Sequence, residues 1–314
     1  MSPWLSDREA DDEELTISFT SLGLLVLDEI RFPGQQPLTD VLGGSGAYAS
    51  LDARLFLPPP LGRSLGWMLN IGNNFPEPTR RFFESWGATL IVKEQSGKPS
   101  TKGLLEYKDT TLGPYHFLES PPNIKRRISK LLALRRSSGI PDPLIIWEPM
   151  PLCCKAGNLQ PCIEAAHTIE SLVLSVLDAN NGVGPDRKGV VIVRAGEQGC
   201  LVCGRHMPPT WLPSFYKYGH DKVVDPTGAG NAFLGAFAIG YLQTEDAVEA
   251  ACYGSIGASF ALEQVGMPGL AREEGTLASG ELWNRQSVLE RLREYRRGVR
   301  LRQGALGLLE DSSH

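Results

Sequence analysis

The chain has 314 residues, of which 42% are hydrophobic and 21% charged, enough to bury the core of one large α/β domain without demanding a second. A formal net charge of −5 and a pI near 5.7 argue against a nucleic-acid surface as its main business, and no apolar run reaches the ~18 residues of a membrane span, so neither nucleic acid nor membrane is expected as a partner. Of the cysteines Cys153, Cys154, Cys162, Cys200, Cys203 and Cys252, the one CxxC pair falls in a predicted strand, where positions i and i+3 face opposite sides, so free thiols in a reducing cytoplasm are expected rather than a metal set.

Residues 1–15 carry Asp7, Glu9, Asp11, Asp12, Glu13 and Glu14 and read as a disordered acidic leader, because a signal peptide needs a basic start and an apolar centre. Ile17 to Leu27 reads as an apolar strand, followed by Asp28 and an irregular excursion from Arg31 to Asp40. Gly43-Gly44-Ser45-Gly46 is a glycine-rich turn that opens a helix. Trp67 to Ile71 and Thr89 to Val92 are predicted strands, with an amphipathic helix from Glu77 to Trp86 between them. Ser100 to Tyr107 alternates as a strand does, Tyr115 to Leu118 is a short apolar run, and a basic helix is expected around Ile124 to Arg136. Leu144 to Pro149 is a buried strand ending at Glu148, and Leu159 to Leu177 a long helix before the turn Asn180-Asn181-Gly182. Gly189 to Arg194 is a strand, and the turn through Gly196 and Gly199 fits a type I′ or II hairpin connection. A helix from Glu245 to Val265 is stopped by Gly266 and Pro268. Glu281 to Gln303 is an arginine-rich, solvated amphipathic helix, and the chain ends on a disordered 311–314.

The most specific chemistry lies in 222–237. A short strand at Lys222-Val223-Val224 runs into a turn whose glycines allow positive φ, and a helix follows at once. The amides of Gly228, Ala229 and Gly230 stand at that helix N-terminus, where unpaired N–H groups and the macrodipole point at an anion. Small residues at Gly235, Ala236, Ala238 and Gly240 predict close packing of the helix, and rigidity is what a phosphate cradle requires. Asn231 by itself also suits a helix N-cap.

This run resembles the C-terminal signature of the PfkB (ribokinase-like) carbohydrate kinases, Asp-Thr-x-Gly-Ala-Gly-Asp before a small-residue helix, and matches it at Asp225, Thr227, Gly228, Ala229, Gly230, Gly235 and Ala236. The Gly43-Gly44-Ser45-Gly46-Ala47-Tyr48 turn is similar to the family's Gly-Gly-x-Gly-Ala-Asn, with Tyr48 for Asn, which suggests a remodelled sugar pocket. Trp147-Glu148-Pro149 and the Asp-Pro-Thr-Gly-x-Gly-Asn variant resemble a fungal, maintenance-of-killer branch of the family. The resemblance covers about Ile17 to Gly269. It implies an α/β fold, a three-layer α/β/α ribokinase-like sandwich with a mainly parallel central sheet and a reduced β lid. It further implies one domain at 16–275, with lid segments near 29–42 and 99–118, and a helical and disordered tail at 276–314.

For function, the resemblance implies ATP-dependent phosphoryl transfer to a sugar or nucleoside hydroxyl, with Mg2+. The ATP phosphates would lie over Gly228, Ala229 and Gly230, with Arg194, Gly196, Gly199, Asp225 and Thr227 around the nucleotide. Asp28, Gly43 and Gly44 would hold the substrate, although Asp28 reads equally well as an acid capping the next turn. Asn231 stands where the family has its catalytic Asp. A carboxamide has no basic lone pair near neutral pH, and general-base assistance contributes ~10²–10⁴ in rate, so transfer is expected to be weak or lost. Against the family, Leu105 to Leu144 and Trp147 to Val190 look short, and the second lacks the Asn-x-x-Glu strand end that organises the metal, so no metal residue is assigned. The alternative is a non-catalytic nucleotide-binding or assembly protein on a kinase fold.

Overall fold

The computed structural model of the chain describes residues 16–21, 23–32, 34–106, 190–204, 207–217, 219–272 and 280–311, with positions 126, 129, 130, 132–134 and 136–138 between them. The run expected as one strand from Ile17 is two: β1 (Phe19–Ser21) and β2 (Val26–Arg31) lie in different sheets. The chain changes sheet at Gly23, where a Cβ would meet the Gly46 amide nitrogen at 2.5 Å, so only glycine fits. β2 pairs antiparallel with β3 (Leu38–Gly43) and parallel with β6 (Lys102–Glu106), forming a small separate sheet. The excursion from Arg31 is therefore a hairpin connection rather than irregular chain.

β1 pairs in parallel with β4 (Leu65–Gly72), and β4 with β5 (Thr89–Gln95). Alternation in β4 buries Trp67, Leu69 and Ile71 on one face. Helix α2 (Glu77–Ser85) covers that face, with Phe83 edge-on to Trp67 at 4.9 Å and Trp86 stacked on it at 5.9 Å. The antiparallel sheet β7 (Val190–Arg194), β8 (Cys200–Gly204) and β9 (Met207–Leu212) begins the C-terminal part. The β7–β8 connection is a single 3₁₀ turn at Gly196–Gln198, one residue too long for the two-residue hairpin turns. Cys200 is buried and Cys203 is not, as alternation along β8 requires.

Three helices pack through glycine. A Cβ on Gly235 of α3 (Ala229–Thr244) would fall 1.9 Å from the Ala49 carbonyl oxygen of α1 (Ser45–Leu55). On α4 (Ala247–Ala261), Gly254 lies against the Phe233 ring and Gly257 against the Ala236 Cβ. The helix expected from Glu245 starts two residues later, because Glu245 takes φ 54° to close α3 and Asp246 caps α4 by accepting from the Val248 and Glu249 amides at 2.8 and 2.9 Å. It also ends at Ala261, short of Val265.

The expected domain boundary at 275 falls between two paired strands, β10 (Leu270–Arg272) and β11 (Glu281–Trp283). Beyond them α5 (Val288–Asp311) buries Val288, Leu292, Tyr295 and Val299 in the same core. The segment read as a tail is thus packed into the domain as far as Val299. A buried ion pair fastens it: Arg54 of α1 donates twice to the Glu281 carboxylate, at 2.7 and 2.8 Å, and to the carbonyls of Trp86 and Leu57 at 2.5 and 2.8 Å.

Helical positions at 126, 129–130, 132–134 and 136–137 coincide with the expected basic helix. The readings at 1–15, 107–118, 144–149, 159–177, 180–182 and 312–314 lie outside the described residues. Among those described, no helix is long and apolar enough to cross a membrane.

Candidate functional site

Lys222 to Pro226 is not a strand, contrary to the sequence reading. The amides of Val224 and Asp225 instead share the Leu262 carbonyl, at 2.8 and 3.2 Å, which ties the turn to the end of α4. Asp225 is buried, and its Oδ1 accepts from the Thr227 amide at 2.8 Å, an Asx turn. Burial raises the Asp225 carboxyl above the usual carboxylate range, with the Thr227 amide opposing. Gly228 then takes φ +83° and becomes the N-cap of α3. The amides of Gly228 and Gly230 donate to no other described backbone group, whereas Ala229 donates to the Pro226 carbonyl at 3.3 Å. The Thr227 hydroxyl beside them is buried with no partner at hydrogen-bond geometry.

Tyr48 explains why the turn is rigid. Its ring lies under Gly228, where a Cβ would come within 2.3 Å of a ring carbon, and its hydroxyl donates to the Gly266 carbonyl at 3.2 Å. It is buried with Ala232 and Ala261. The ring therefore buttresses the glycine turn from beneath. Asn231 is the third residue of α3 and only 3% exposed, so it is not the helix N-cap; Gly228 has that place.

Asp28 stands within β2, not at its end, which removes the turn-capping reading. Its carboxylate lies across two glycines of the neighbouring strands: a Cβ on Gly43 would fall 1.9 Å from Oδ2, and one on Gly103 would fall 2.1 Å from Oδ1. Burial raises its pKa. Gly103 escaped the sequence reading, although a glycine inside a strand is itself a signal of close approach. Gly44, with φ +97°, faces the Leu24 carbonyl and seats α1 on the β1–β2 link.

Arg194 ends β7 opposite Cys200. Burial lowers its guanidinium to about 10, and the Cys200 thiol opposes the shift. Gly196 and Gly199 both take positive φ, and Gly199 leaves room for the Leu212 carbonyl, which a Cβ would meet at 2.0 Å. These three residues shape one end of the β7–β8 hairpin.

The pfkB family carbohydrate kinase model matches residues 172–269, the stretch holding the glycine turn, α3 and α4. An uncharacterized protein of Schizosaccharomyces pombe is 26% identical over 338 residues, 89% of this chain and 92% of that one. Protein MAK32 of Saccharomyces cerevisiae is 24% identical over 361 residues, 92% of this chain and 94% of that one. Among solved structures, a Methanocaldococcus jannaschii nucleoside kinase, an archaeal member of the ribokinase family, superposes with a TM-score of 0.54 at 16% identity, over 86% of this chain and 96% of that one. A putative ribokinase II from E. coli, in complex with ATP and Mg2+, gives 0.52 at 17% identity, over 78% and 92%.

The chain is PfkB-like and carries the ribokinase fold.

Both curated alignments are longer than the 314 residues of this chain, so each relative has residues with no counterpart in this PfkB-like protein.

Proposed function

We propose that this PfkB-like chain binds ATP through the turn at Gly228, Ala229 and Gly230, and that its phosphoryl transfer to a sugar or nucleoside hydroxyl is weak or absent. The observation that carries the reading is a formed anion turn with a carboxamide in it. Among the described residues the amides of Gly228 and Gly230 have no partner, the Thr227 hydroxyl is buried beside the Asp225 carboxylate, and Asn231 sits buried in the first helical turn. The residues present fit a phosphate: glycine at positive φ, donors at a helix N-terminus and a rigid ring beneath.

ATP, when bound, supplies the phosphoryl group. Gly228 and Gly230 would orient it with their amides, Thr227 would add its hydroxyl, and Asp225 would hold the turn in shape through the Thr227 amide. Arg194, Gly196 and Gly199 would border the nucleotide. Asp28, lying in its glycine slot, would accept hydrogen bonds from substrate hydroxyls, with Gly43 and Gly44 shaping that wall. Asn231 can donate or accept a hydrogen bond to an attacking hydroxyl but cannot take its proton. Among the described residues no group of three His, Cys, Asp or Glu could hold a metal, and the segment searched for the family's metal-organising acid lies outside them, so no residue is proposed for Mg2+.

The cysteines Cys200, Cys203 and Cys252 are unpaired, which supports a reducing, cytoplasmic setting. A second reading, a working sugar or nucleoside kinase, is favoured by the Asp28 slot, since two strand glycines clear space for one carboxylate. ATP turnover on a panel of pentoses, hexoses and nucleosides separates the two. The proposal expects rates near background; sustained turnover dependent on one acceptor would establish the kinase instead.

A further inference from the structure

Helix α5 turns one face to the core and another to a recess of about 440 Å³ lined by Arg293, Arg296, Arg297, Arg300 and Leu301. The four arginines are spaced i, i+3, i+4 and i+7, which places them on one stripe of the helix. Val288, Leu292, Tyr295 and Val299 occupy the opposite, buried stripe. The arrangement concentrates positive charge on a chain whose net charge is −5. Arg293 and Arg297, and Arg296 and Arg300, are like-charged i,i+4 pairs, an arrangement that destabilises a helix.

Carboxylates do not relieve it. Arg296 pairs with Glu249 and lies over the Tyr253 ring, 5.3 Å from its centroid, yet its Nε is buried without an acceptor. No described carboxylate lies within ion-pair distance of Arg293, Arg297 or Arg300. Every basic residue of α5 is arginine and none is lysine. Planar forks that can bind oxyanions in pairs are therefore arrayed about one turn apart.

We propose that this recess is a second anion site, separate from the glycine turn, that binds a soluble ligand carrying two or three linked phosphate groups. The recess is lined by α5 alone and opens to solvent, so a small soluble oligophosphate can reach guanidiniums about one turn apart. The stripe belongs to α5, and the glycine turn to the start of α3, so the two sites can be altered independently.

Isothermal titration of the full chain with sodium tripolyphosphate, at one fixed salt concentration, tests the proposal. Wild type should show saturable binding. Arg293→Gln/Arg297→Gln should weaken it at least about tenfold, as expected when two charge-assisted contacts are lost, while keeping the wild-type melting profile. Because both side chains point away from the core stripe, that variant is expected to fold; Arg300→Gln serves as a single-site check in the same direction. Absence of saturable binding, equal affinity in the arginine variants, or loss of all binding in Gly230→Val would overturn the proposal. Cosedimentation with phosphatidylserine-containing vesicles, without tripolyphosphate binding, would also overturn it by assigning the stripe to a lipid surface.

Discussion

Asn231 decides how much chemistry the glycine turn can support. In the proposed function its carboxamide stands where a general base would contribute ~10²–10⁴ in rate. Asn231→Asp restores a carboxylate at a position that is already buried, in a helix turn already rigid. Were the base the sole loss, acceptor-dependent kcat/KM should rise by about two decades or more. The proposed function also counts the shortened segments as losses, so the expected gain is less than about tenfold, read by coupled ATP turnover; a gain of two decades would locate the whole deficit in this one side chain. The glycines around it were legible from sequence because their spacing carries the turn. Tyr48 was not: its identity could be read, but its place under Gly228 depends on how α1 meets α3. Gly43 was legible as a glycine, yet what it accommodates is the Asp28 carboxylate of its own fold.

At the scale of elements, the helix layer explains a second oddity. Asp52 of α1 is fully buried, both carboxylate oxygens lack partners, and its Oδ1 lies beside Gly257 of α4. Burial holds its carboxyl well above the usual carboxylate range. The folded state therefore binds the proton more tightly than the unfolded state, so this group lowers stability as pH rises above about 4, the unfolded carboxyl range. Asp52→Asn removes the titration and keeps the shape. Its stability advantage over wild type should grow from pH 4 to pH 7.5 in urea melts, by an amount on the order of 1 kcal/mol or more; a difference independent of pH would mean that Asp52 is not held neutral by burial. The same layer shows which patterns sequence reveals. Gly235, Ala236, Ala238 and Gly240 announced close packing of α3, and that packing is present, with Gly254 and Gly257 of α4 joining it unannounced. The Val223-Val224 pair suggested a strand, but Val223 donates to the His220 carbonyl and Val224 to the Leu262 carbonyl, a partner 38 residues from Val224 that no local pattern specifies.

For the whole molecule, the C-terminal third does more than end the chain. Arg54 and Glu281 are 227 residues apart in sequence, and their pairing fastens β11 to α1 and to the end of α2. Arg54 has no exposed side-chain surface. Removing it leaves two carbonyls without their donor and a mostly buried carboxylate with only the longer, part-exposed contact to Arg272 at 3.3 Å, and breaking a buried pair from one side costs about 3–5 kcal/mol. Arg54→Ala should therefore lose that much in chemical denaturation, whereas the exposed Arg81→Ala, whose i,i+4 pair with Glu77 is solvated, should change by less than about 0.5 kcal/mol. The fold class and the glycine turn were readable in sequence, because glycine spacing and apolar periodicity are local. The splitting of the first strand, the packing of α5 and the Arg54 anchor are long-range outcomes, and sequence could only outline them.

The central claim is that the Gly228 to Gly230 turn holds the phosphates of ATP. Titration calorimetry of ATP into the full chain, compared with Gly230→Val, tests it most directly, since a side chain at Gly230 obstructs the cradle while the variant's folding can be followed by its melt. The account predicts saturable binding that, with the α5 recess silenced by Arg293→Gln/Arg297→Gln in both proteins, weakens at least about a hundredfold on adding Gly230→Val, equivalent to some 2.7 kcal/mol. Equal ATP affinity in both proteins, or no saturable binding to the wild-type chain, would contradict it.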